Sequence, residues 1–118
     1  MLRELLTEKG MLIVAVPNCS SYDAGRYGEY WAAYDVPRHL WHFTPVTIQQ
    51  LASRHGFIMA ARHPMPFDAF YVSMLSEKHR GSSCSFLKGM YAGTLAWFST
   101  LGRKERSSSM IYVFRKKR

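Results

Sequence analysis

Acidic residues are few in this chain, cysteines fewer, and no long clean apolar run occurs. Each shortage removes a class of protein. The two cysteines, Cys19 and Cys84, lie far apart with no Cys-x-x-Cys spacing, so neither a disulfide framework nor a zinc knuckle is signalled. Free thiols in a reducing compartment fit, and the expected location is cytoplasmic. The greasiest stretch, Cys84 to Gly102, contains Lys88, three glycines and several hydroxyl residues. It falls short of the roughly twenty apolar residues of a transmembrane helix. A buried or surface-lying amphipathic helix is expected there, and membrane contact is not. Arg3, Glu4, Glu8 and Lys9 break up the apolar residues at the N-terminus, which argues against a signal peptide.

What is present points to a globular α/β chain. At 118 residues, 47% of them hydrophobic, the sequence suits one domain over residues 1–118 with a single modest core. Sixteen basic against eight acidic residues give a net charge of +8. Arg103, Lys104, Arg106, Arg115, Lys116, Lys117 and Arg118 supply much of it near the C-terminus. Such a cluster reads as a solvated basic tail, and no specific nucleic-acid site is expected.

Leu2, Leu5 and Leu6 sit at helical spacing, with Gly10 placed as a left-handed cap. Met11 to Val16 is an unbroken apolar run, the habit of a strand covered on both faces, and Pro17-Asn18 stops it. Cys19 to Tyr30 reads as an irregular lid. Thr44-Pro45 is a helix start, with a hydroxyl at the N-cap and proline at the first helical position. Ile48, Leu51, Ala52 and His55 form one face of that helix, and Gly56 closes it. Phe57 to His63 is a second strand, ended by Pro64 and Pro66. Residues 64–109 form a helical insertion and linker. Its first helix carries Phe67, Phe70, Tyr71, Met74 and Leu75, and its second runs from Phe86 to Leu101. The pair Gly89 and Gly93 in the second helix would let another backbone approach closely. Met110 to Phe114 is a short last strand.

Between the first strand and the helix at Pro45 lies the densest chemistry, Trp31-Ala-Ala-Tyr-Asp-Val-Pro-Arg-His-Leu-Trp-His-Phe-Thr-Pro45. Loops normally fill with small polar residues and reserve aromatic and ionisable groups for binding or catalysis. The competing account is an ordered connector, with tryptophans as core plugs and histidines as caps.

The run Glu8 to Asn18, then a Trp, then Asp35-Val-Pro-Arg-His-Leu40, then Phe43-Thr-Pro45 and a helix ending His55-Gly-Phe57, resembles the C-terminal half of a class I S-adenosylmethionine-dependent methyltransferase. The similarity is to a bacterial subgroup with a Pro-Arg-His-Leu element after the fifth strand. It implies a partial Rossmann-like sheet holding the last three of seven strands. Met11–Val16 would be the fifth, Phe57–His63 the sixth, and Met110–Phe114 the seventh, antiparallel between them. The glycine-rich first loop and the acidic residue that hold the cofactor in the family have no counterpart here, so S-adenosylmethionine is not expected to bind this chain tightly. A fifth strand without its neighbour leaves an open sheet edge. Homodimerisation through that edge, or folding of the 67–102 hairpin over the bare sheet face, would relieve it.

In methyl transfer a protein aligns the acceptor and can remove its proton. Under the resemblance, His39 and His42 are candidate bases, with Asp35 orienting one of them. Arg38 would pair with an acidic group of the substrate, or simply with Asp35. Trp31, Tyr34 and Trp41 would line an aromatic acceptor pocket, and Asn18, at the strand end, would reach the cofactor. No metal site is expected from His39, His42 and Asp35, and nothing marks Cys19 as a nucleophile. Two functions follow. One is the acceptor half of a truncated methyltransferase acting on a small molecule, inactive alone. The other is a non-enzymatic interaction module whose basic tail and apolar helices bind a protein partner or an anionic surface.

Overall fold

The computed structural model describes residues 1–118 and measures 52 × 31 × 18 Å along its principal axes. It is a mixed α/β chain. Strands β1 (Met11–Pro17), β2 (Phe57–Met65) and β3 (Ser109–Lys116) form one sheet in the order β1-β3-β2. β3 runs antiparallel to both neighbours, pairing Ile13 with Val113 on one side and Ala61 with Val113 on the other. The last strand therefore occupies the gap between two parallel strands, the place the family resemblance implied for it. An irregularity between Met59 and Ala61 gives β2 one extra residue, the mark of a bulge on an edge strand. The same edge position explains why Pro64 is tolerated inside β2 rather than ending it, because its missing N–H faces no partner.

Only one face of the sheet is covered. Helix α3 (Pro45–Arg54) lays Ile48 and Ala52 against Phe57, Met110, Tyr112 and Phe114. Its start is fixed by a reciprocal cap, in which the Thr47 N–H donates to Thr44 Oγ1 at 3.2 Å and the Thr44 N–H to Thr47 Oγ1 at 2.8 Å, worth about 1 kcal/mol. Its end is fixed by Gly56 in the left-handed region, φ 77°, where a side chain would be strained. On the opposite face Met11 and Ile58 are exposed, and Ile13 is 64% exposed. Two-sided cover for β1 is thus corrected to one-sided cover. An antiparallel sheet permits this, whereas the apolar run by itself reads as two-sided.

A second core lies beside the sheet. Helices α4 (Asp68–His79) and α5 (Ser85–Gly102) pair tightly and enclose Ala24, Tyr27, Trp31, Ala33, Val72 and Ala92 with α2 (Tyr22–Tyr27). The hairpin therefore packs on the segment after β1 and leaves the bare sheet face uncovered, contrary to one of the two arrangements expected for it. The supposed lid at Cys19 to Tyr30 includes a real helix. Ser21 caps α2 by accepting from the Ala24 N–H at 3.1 Å. At the N-terminus, α1 spans only Leu2–Leu5, and Gly10 has no left-handed conformation. Leu2 and Leu5 are exposed, and a helix this short has little to hold it without a buried face.

Candidate functional site

The segment that follows β1 is tied down by one side chain. Asn18 is buried, donates from Nδ2 to the carbonyls of Glu105 at 2.6 Å and Ser107 at 2.9 Å, and accepts at Oδ1 from the Ser20 N–H and hydroxyl at 3.1 and 2.7 Å. Two donors and two acceptor sites exhaust an asparagine amide. Its side chain has nothing left to offer a cofactor, and the role the structure gives it is to join the end of β1 to the approach to β3. Its backbone also forms a parallel bridge with Phe43, and the Cys19 N–H donates to the Phe43 carbonyl at 3.0 Å. These bonds dock the far end of the 31–45 loop beside the carboxyl end of β1.

Within the loop, Trp31 is buried, and its indole N–H donates to Asp23 Oδ2 at 2.9 Å. Ser108 Oγ donates to the same oxygen at 2.6 Å. Asp23 is fully buried, and its Oδ1 has no partner. The aromatic rings then continue outward. Trp31 meets Tyr34 edge-on at 5.0 Å between centroids, and Tyr34 meets His42 edge-on at 5.0 Å. Edge-to-face pairs at this distance are favourable. His42 Nε2 lies 2.9 Å from the Tyr34 carbonyl oxygen. A carbonyl only accepts, so Nε2 carries the proton in the neutral ring and the free lone pair sits on Nδ1, which has no partner in the chain. That nitrogen is the one base the loop holds in a defined orientation.

The remaining loop residues are not gathered with it. Asp35 adopts the left-handed conformation, φ 41°, which Asp tolerates better than most residues. Its carboxylate lies 3.8 Å from Arg38 at an exposed tip, a pair worth under about 1 kcal/mol. The Asp35 carboxylate makes no ion pair or hydrogen bond to either histidine, and the one link is through the backbone, where the His39 N–H donates to the Asp35 carbonyl at 3.0 Å. His39 is half-buried, with Nδ1 enclosed and unpartnered. Trp41 is 79% exposed and walls a surface groove of about 480 Å³ with Phe43, Thr47 and Leu51 on the α3 side. Cys19 donates its thiol to the Phe43 carbonyl at 3.3 Å, and burial pushes its pKa up, the opposite of what an activated thiol needs. No group of three or more His, Cys, Asp or Glu side chains is placed to hold a metal ion.

Sequence reasoning singled out the loop but missed its supports, Asp23 and Ser108. Both lie in serine-rich stretches that read as turns, and nothing local marks them as buried. Comparison of the chain with protein families, with curated proteins and with solved structures finds no match in any of the three.

Proposed function

We propose that the chain is the acceptor-side part of a class I S-adenosylmethionine-dependent methyltransferase acting on a small molecule. One observation supports this reading above the others: β3 lies antiparallel between parallel β1 and β2, while the Pro-Arg-His-Leu loop is bonded to the carboxyl end of β1 through Asn18, Cys19 and Phe43. The residues present do not by themselves fit the cofactor. The amide of Asn18 is fully engaged, and no glycine-rich turn follows a strand. On this reading the principal cradle would be supplied by chain outside these residues, laid along the free edge of β1; a second copy at that edge is the alternative neighbour.

In this reading the chain orients the acceptor and manages its proton. His42 Nδ1 takes the proton that the acceptor atom loses. The Tyr34 carbonyl keeps the ring in the required tautomer, and stabilises the imidazolium that results. Tyr34 and Trp41 offer aromatic surface to an acceptor with an apolar body, while Trp31 acts from behind as the fixed base of the ring series. Arg38, paired only loosely at the tip, is available to an acidic substituent.

Calorimetric titration of S-adenosylhomocysteine tests the proposal. The 118-residue chain alone should bind no tighter than about 1 mM, and the chain joined to its preceding coding sequence should bind about a hundredfold tighter or better. Micromolar binding by the chain alone, or no gain on extension, would overturn it.

A further inference from the structure

We propose that the α4–α5 hairpin docks on an anionic lipid surface, with the outer face of α5 entering the headgroup and upper acyl region. The inference is independent of the methyltransferase reading. It rests on how α5 distributes its residues. The side turned to α4 is made of Gly89, Ala92, Gly93, Ala96 and Thr100, all buried. The side turned away carries Phe86, Leu87, Met90, Tyr91, Phe98 and Leu101, all exposed. At 3.6 residues per turn those six fall within an arc of about 140°. A helix at a water-facing surface places its polar residues outward. Here the large apolar side chains are outside and the small ones inside.

That inversion belongs to helices whose surroundings are as apolar as their own side chains. In lipid the outward face gains nothing by being polar, and helices associate by close backbone approach at small residues. The α4–α5 contact has this character. A Cβ at Gly89 would stand 2.5 Å from Met74 Cα, and one at Gly93 2.8 Å from Phe70 Cα. Phe67, just before α4, and Tyr71 within it are exposed as well. No helix is long and apolar enough to cross a membrane, and α5, about 27 Å long at 1.5 Å per residue, would lie in the interface plane.

Charge selects the occupant. α5 contains no acidic residue, Lys88 stands in its first turn, Arg103, Lys104 and Arg106 follow its last, and Arg80 precedes the hairpin turn. The nearby acid Glu105 is already paired with Arg62. Anionic headgroups complement both ends of this helix. A second copy does not, since an antiparallel pairing sets Lys88 against Arg103 and Lys104, and a parallel one sets each cation against itself. The second function read from the sequence already named an anionic surface as one partner of the basic tail and apolar helices, although membrane contact was not the first expectation; the small residues inside and the large ones outside supply the ground for it on α5.

Flotation of the full chain with vesicles tests the proposal. The protein should float with phosphatidylcholine vesicles containing about one-third phosphatidylglycerol and only weakly with phosphatidylcholine alone. The double substitution Leu87→Gln/Phe98→Gln should cut partitioning about tenfold or more. Arg103→Glu/Lys104→Glu should remove the preference for anionic vesicles, and Ile13→Gln/Ile58→Gln on the bare sheet face should change neither. In the unaltered protein, spin-labelled lipid should broaden the methyl signals of Leu87, Met90 and Leu101 while leaving Ile13 and Ile58 sharp, a readout that needs no variant to fold. Absence of flotation, flotation insensitive to the α5 substitutions, or an α5-dependent dimer in sedimentation without vesicle binding would each overturn the proposal.

Discussion

Gly89 on α5 passes so close to Met74 on α4 that an added Cβ would lie 2.5 Å from Met74 Cα, inside any real contact. The obstacle is backbone, which cannot swing aside as a flexible side chain can. Gly89→Ala should therefore cost about 1–3 kcal/mol through overpacking, more than the ~1 kcal/mol that alanine gains in a helix interior. Gly25, inside α2, has nothing within 4 Å of its Cβ position, so Gly25→Ala should stabilise by up to about 1 kcal/mol. Urea unfolding of the two variants should move the midpoint in opposite directions.

Asn18→Ala should be among the most damaging single changes. It removes four hydrogen bonds and leaves the Glu105 and Ser107 carbonyls without their amide donor. A loss of about 2–4 kcal/mol is expected, since buried groups left unpaired cost more than the bond itself contributed. Asn18→Asp should be no rescue, because a carboxylate would face those two carbonyl oxygens. Chemical denaturation, with m-values checked for two-state behaviour, measures both.

The two loop tryptophans should behave oppositely. Trp31→Ala opens the second core and leaves Ser108 as the one donor to buried Asp23, for about 3–5 kcal/mol. Trp41→Ala removes an exposed ring and should stay within about 0.5 kcal/mol, while lowering acceptor affinity if the groove it walls receives substrate. Thermal unfolding separates the two variants without any knowledge of the acceptor.

Alkaline pH should expose Tyr112. Burial holds its phenol up to about 12, with the nearby Arg62 pulling the other way. The folded pKa exceeds the unfolded value of about 10, so the contribution is fully present below pH 10 and is lost as pH rises towards 12. Tyr27 is shifted the same way, first by burial and then by the carboxylate of Glu77, to which its hydroxyl donates at 3.1 Å. Tyr112→Phe should flatten the loss of stability above pH 10 and leave the neutral range unchanged, as read by urea midpoints across pH.

Cys84 is exposed, whereas Cys19 donates to a carbonyl and is held up by burial. Iodoacetamide at mildly alkaline pH should label Cys84 first and Cys19 only slowly, by peptide mass mapping.

The family resemblance, and no local signal, implied the position of the last strand, whereas local pattern carried the strands themselves and the Thr44-Pro45 helix start, because apolar runs and capping residues act within a few positions. It failed where the outcome depends on distant partners. The run Met11–Val16 looks covered on both faces, yet what lies over Ile13 is decided by where residues 67–102 pack. Tyr22–Tyr27 hides its helix because Gly25 and Asp23 weaken the propensity, and Ser21 gains its value only as a cap. Asn18 was singled out as a strand-end residue, but beyond its two local bonds to Ser20 it holds the Glu105 and Ser107 carbonyls near β3, outside any local window. The densest loop was visible, whereas the division that turns Trp41 outward and fixes His42 on Tyr34 required the fold.

The central claim is that ligand chemistry occurs at the carboxyl end of β1, under the docked loop. Amide NMR of the ¹⁵N-labelled protein, extended by any coding sequence found upstream of Met1 and titrated with S-adenosylhomocysteine, tests it most directly. Saturable shifts at Cys19, Ser20, His42 and Phe43 are predicted. Saturable binding that leaves those four signals unmoved, or no binding at all, would contradict it.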